Sequence, residues 1–100
     1  MAQFECYECK KLVVTGEKFT FTKRGSVHFD CFISAKRKEL DDSKTEEFRV
    51  LSLLLDSELT HLINHLNIKP KEGPGFEFHR IKYKDVEKAA GETTKKISEL

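Results

Sequence analysis

One hundred residues, 38% of them hydrophobic and 35% charged, limit this chain to one small domain with a modest core. A formal net charge of +1 is not the footprint of a strong DNA binder. Apolar runs such as Leu53-Leu54-Leu55 fall far short of the roughly 20 residues that a membrane span needs. The charge is unevenly spread: residues 1–40 carry eight Lys/Arg against five Asp/Glu, residues 41–68 two against six, and residues 69–100 eight against six. The opening "MAQFECYECKK" lacks the apolar stretch of a secretory signal, so a cytoplasmic, reducing location is expected.

The first segment, residues 1–40, is dominated by its cysteines. Cys6 and Cys9 are separated by two residues, as are His28 and Cys31, and eighteen residues lie between the pairs. Two ligands at that spacing point at one ion when the chain turns sharply between them. Two such pairs then supply three thiolates and one imidazole, a tetrahedral set that suits a single structural Zn2+. The set uses all three cysteines of the chain. A thioredoxin-like CxxC would follow a strand within a βαβ unit, and a disulfide would strand one cysteine in a reducing compartment. Iron thiolate sites favour four cysteines, and here one ligand is histidine.

Between the pairs, Leu12 to Val14 and the alternating Phe19-Thr20-Phe21-Thr22 are expected as strands. Turns are placed at Thr15-Gly16-Glu17 and Lys23-Arg24-Gly25. One side of the hairpin is expected to cover the metal site while the other meets water. Phe4, Tyr7, Phe29 and Phe32 are expected to form an aromatic shell around the sulfurs. The run "CYECKKLVVTGEKFTFTKRGSVHFDCF" resembles the first zinc-binding half of a LIM domain, over roughly the first third of the chain. The LIM pattern continues with two more ligands, and here those places hold Ser34 and Arg37, so a second zinc site is not expected. The whole also resembles small treble-clef-like fingers whose second ligand pair leads into a helix. It is similar to an uncharacterised family of short archaeal proteins with one N-terminal zinc motif, a resemblance that implies a metal site and no established activity.

A helix is expected to begin near His28 to Phe32, run through "CFISAKRKEL" and break at Asp41-Asp42-Ser43. Residues 41–68 then form a long amphipathic helix, with Ser43 and Glu46 at capping-box spacing. Its stripe is Phe48, Leu51, Leu55, Leu59, Leu62 and Leu66, and Val50, Leu53 and Leu54 add a second apolar surface. In residues 69–100, "KEGPG" reads as a loop, "FEFHRIKYK" as a short strand and "KDVEKAAGETTKKISEL" as a weak helix packing on the same domain. The expected class is therefore α+β: a zinc-knuckle and β-hairpin finger, then helices, with a short C-terminal strand.

Glu58, His61 and His65 share one face of the long helix, but the metalloprotease pattern needs Glu where Leu62 stands. The histidines are therefore read as a solvated or interface pair, with a second metal the lesser alternative. "FHRIKYK" mixes aromatic and basic residues that suit a single nucleic-acid strand or, more simply, a half-exposed surface. No phosphate loop, nucleophile–base pair or small-molecule substrate site is evident, so an enzyme is not expected. Two functions remain. In the first, a zinc-dependent module contacts a protein partner, or a second copy of itself, through the 44–66 helix. In the alternative, a nucleic-acid-binding finger uses Lys10, Lys11, Lys18, Lys23 and Arg24, with Lys36, Arg37 and Lys38.

Overall fold

The computed structural model describes residues 4–100 and opens with two short hairpins. Strands β1 (Phe4–Glu5) and β2 (Leu12–Val13) pair antiparallel around the Cys6–Cys9 turn. Strands β3 (Phe19–Thr22) and β4 (Gly25–His28) pair with Phe19 opposite His28 and Thr22 opposite Gly25. Gly25 closes this hairpin at φ 117°, a backbone conformation open to glycine and strained for other residues. Helix α1 (Phe29–Glu39) follows β4 directly, and a 3-10 turn (Asp42–Lys44) leads into helix α2 (Thr45–Ile68). Helix α3 (Pro74–Ser98) completes an α+β fold.

The segment read as a strand, residues 76–84, is helical. Phe76 and Phe78 alternate for only two steps, whereas His79, Tyr83, Val86, Ala90, Thr94 and Ile97 recur at three- and four-residue spacing and are buried or half-buried. Phe78, which the strand reading placed beside Phe76, is 64% exposed. Pro74, read as part of a loop, begins the helix, where its missing N–H costs nothing and its fixed φ suits the first turn. The expected capping box is also absent. Ser43 lies inside the 3-10 turn and donates to Asp41 at 3.0 Å, while Glu46 is taken by a two-pronged pair with Arg49 at 2.8 Å. The end of α2 falls where expected, with Lys69 left-handed at φ 47° before Pro70.

One apolar cluster runs through the fold: Cys6 and Val27 from the hairpins, Phe32 and Ile33 from α1, Phe48, Leu55 and Leu59 from α2, and Ala90 and Ile97 from α3. Helices α2 and α3 pack together across the short connection 69–73, and α3 also packs on β3. The radius of gyration, 14.8 Å, exceeds the roughly 13 Å of a compact chain of this length, in keeping with extents of 50 × 27 × 18 Å. Such a shape buries little apolar area. Phe48, Leu55 and Leu59 of the expected α2 stripe are buried and Leu51 and Leu62 half-buried, whereas Leu66 is exposed.

The hairpin alternation holds, but Thr20 is the buried residue of β3. Its hydroxyl lies 2.6 Å from that of Thr94, which itself donates to the Ala90 carbonyl at 2.9 Å. With the Thr94 proton committed, Thr20 is the donor between the two. Phe19 and Phe21 lie on the opposite face with Phe4, ring centroids 5.1 to 6.0 Å apart. Phe4 therefore belongs to this surface cluster rather than to a shell around the sulfurs. Tyr7, Phe29 and Cys31 do pack on the core beside buried Phe32.

Two stability outcomes follow from this packing. Leu55→Ala, at a fully buried position, should lower unfolding stability by about 2–5 kcal/mol. Thr94→Val should cost about 1–3 kcal/mol by orphaning the Thr20 hydroxyl, and adding Thr20→Val should recover part of that loss. Urea denaturation of the two single variants and the double variant measures both effects.

Candidate metal centre

Each of the four ligand candidates is set by a different local device. Cys6 leaves β1 and donates its N–H to the Lys11 carbonyl at 2.9 Å, while its own carbonyl accepts from Lys10 N–H at 2.8 Å. Lys10 takes φ 68° to complete this turn, which carries Cys9 back toward Cys6. The turn is tied to the second hairpin by Tyr7 N–H to Ser26 carbonyl, 3.1 Å, and by Ser26 hydroxyl to Glu5 carbonyl, 2.8 Å. His28 ends β4 and precedes α1 with an extended backbone. Cys31 sits in the first turn of that helix.

These devices bring one ligand atom from each of Cys6, Cys9, His28 and Cys31 within 4.8 Å of the others, close enough to hold one metal ion. Nδ1 of His28 faces the Cys9 sulfur at 3.3 Å and the Cys31 sulfur at 4.0 Å. The Cys6 sulfur accepts the backbone N–H of His28 at 3.3 Å. Among the described residues this is the one group of three or more metal-ligating side chains so arranged. Glu58, His61 and His65 do not form such a group.

The sulfurs differ in character. Burial pushes the Cys6 thiol up, but the backbone N–H groups of Cys9, His28 and Glu8 outweigh it and bring it down to about 6. Burial and the neighbouring Cys6 and Cys9 sulfurs push the Cys31 thiol up to about 12. Desolvation of His28 is outweighed by the cysteine sulfurs and Glu17, which raise its ring to about 9.

Glu17 is the residue beside this cluster that spacing did not single out. Its Oε1 lies 3.2 Å from His28 Nε2 and also accepts the Val14 N–H at 2.8 Å. A carboxylate there holds the proton on Nε2 and turns Nδ1 toward the sulfurs. The sequence signal was weak: Glu17 stands in an expected turn, and only the pairing of Phe19 with His28 brings that turn to the imidazole.

Loss of such a supporting carboxylate typically weakens metal binding about 10–100-fold, and Glu17→Gln should do so in chelator competition without lowering the number of ions bound. Binding should also weaken as pH falls. Cys31, with its thiol near 12, keeps its proton until a metal displaces it, so uptake releases protons and acid opposes it. Proton release measured in weak buffer on metal addition checks the sign.

Residues 2–99 match the family described as an uncharacterized protein conserved in archaea (DUF2175), and the chain belongs to that family. No curated protein and no solved structure matches it.

Proposed function

We propose that this member of the archaeal family is a non-enzymatic interaction module built around one structural zinc ion. The observation that carries the reading is the convergence of Cys6, Cys9, His28 and Cys31 on one point. Four protein ligands fill a tetrahedral shell and leave no position for substrate. Zinc at about 2.3 Å from sulfur and about 2.0 Å from nitrogen would set those donors roughly 3.5 Å apart. The separations of 3.3 and 4.0 Å bracket that value. Zinc in this shell supplies folding energy to the finger.

The order of turn, hairpin and helix, with the second ligand pair at the helix start, supports a treble-clef-like finger similar to half of a LIM domain. Ser34 and Arg37, where a LIM domain would continue its ligands, are exposed on α1. A reducing cytoplasm suits three ligand thiols. No described helix is long and apolar enough to cross a membrane.

The contact surface in this reading is the outer face of α2, and the occupant is a second copy of the chain. Val50, Leu53 and Leu54 are 41%, 59% and 50% exposed, and α3 leaves them uncovered. With exposed Ser57 they follow the i, i+3, i+4, i+7 spacing along which two helices pack, and the small serine allows close approach. The nucleic-acid alternative draws less support. Lys18 is paired with Asp56, Arg24 with Glu8 and over the Tyr7 ring, and Lys36 with Glu39 and the Ser98 carbonyl, so three cations of that face are already engaged.

Protein purified without chelator should carry one zinc per chain, and Cys31→Ser should lose it and melt the finger while retaining helical signal from α2. Substoichiometric metal in the unmodified protein would contradict the reading. In equilibrium sedimentation the chain should run as a dimer, and Leu54→Glu should make it monomeric with zinc retained. A wild-type monomer at high concentration would remove self-association.

A further inference from the structure

Three of the four histidines gather near the connection between α2 and α3, His61 and His65 in the last turns of α2 and His79 in the first turns of α3. Their arrangement follows from the helix connection. His65 is one of the last four residues of α2, whose carbonyls lack helical partners. His79 Nε2–H donates to that carbonyl at 2.7 Å, and the His79 ring packs on His65 at 5.4 Å and stacks on Tyr83 at 6.4 Å. His65 is thus held from α3. Its Nδ1 is buried without a hydrogen-bond partner, so Nε2 is the nitrogen it presents.

His61, four residues earlier and exposed, meets it there. The two Nε2 atoms are 3.0 Å apart, with rings nearly perpendicular at 87°. A single shared proton suits that distance, and so does a cation. At about 2.05 Å from each nitrogen, an ion would subtend about 95° across 3.0 Å. That angle is close to the right angle of tetragonal Ni2+ or Cu2+ and well below the tetrahedral one. The Cys3His group differs in both respects, with soft sulfur donors and four positions filled from the chain.

We infer that His61 and His65 form a second metal site, a two-nitrogen chelate for a late first-row divalent cation of tetragonal preference, with its remaining positions open to water or a small ligand. Exposed His61 gives the ion its entry, and the His79 contacts hold the His65 half of the chelate in place. The site does not depend on the zinc reading, because neither histidine belongs to the cysteine cluster.

The test is calorimetric titration of the zinc-loaded full chain with NiCl2, which does not oxidise thiols, with zinc content measured afterwards. One nickel per chain is expected, with zinc retained. His61→Ala, at an exposed position, should weaken nickel binding by at least about 10-fold, since even loss of a supporting partner costs that much. Combining His61→Ala with Thr60→His keeps four histidines but breaks the four-residue spacing, and it should not restore affinity. Absence of nickel binding, equal affinity in His61→Ala, or nickel uptake matched by zinc release would each overturn the site and leave the finger reading intact.

Discussion

The N-terminal finger is organised around one short-range constraint: a ligand-type atom from each of Cys6, Cys9, His28 and Cys31 lies within 4.8 Å of the others. Cys6 shows how much hangs on it. It is a fully buried member of the apolar cluster and also part of the ligand group, and its sulfur accepts the His28 N–H. A metal ion held by Cys6 would therefore tie the hairpins to the core that α1, α2 and α3 share. The alternative source of order is weak, because β1 and β2 are two residues each and Leu12 and Val14 are exposed. Hairpins of that length are at best marginal in water without further support.

The helices carry the rest of the stability, and they grip the finger through a polar contact as well as an apolar one. The Thr20–Thr94 bond joins β3 to α3 inside the core, so its donors and acceptors must be matched to be tolerated there. On the outside the partition reverses: Phe21 is 52% exposed in the Phe4–Phe19–Phe21 cluster. The finger thus turns the hydroxyl of Thr20 inward and an aromatic set outward. Hydropathy alone would assign these faces the other way round.

That reversal marks what the chain could and could not disclose before folding. The convergence of Cys6, Cys9, His28 and Cys31 was legible because two-residue spacing keeps the members of each pair close together along the chain. The extent of α1 and the end of α2 were legible from periodicity and from Pro70, whereas the start of α2 was not, because a 3-10 turn precedes it. The strand over 76–84 was misread because two phenylalanines in alternation outweighed a longer stripe of weaker residues, His79, Tyr83, Ala90 and Thr94, two of which are not hydrophobic side chains. Glu17 escaped notice because its contact arises only from the register that sets Phe19 opposite His28, and the expected turn at Lys23-Arg24-Gly25 did not specify that register. Arg49 took Glu46 from the expected cap by a similar competition, decided by side-chain reach within one helical turn.

Zinc in a closed shell of three sulfurs and one nitrogen is the claim on which the account of this fold turns. X-ray absorption fine structure at the zinc edge of the protein as purified measures that shell directly. The account predicts three sulfurs at about 2.3 Å and one nitrogen at about 2.0–2.1 Å, with no oxygen neighbour. A shell with two sulfurs or fewer, or one completed by water, would contradict it.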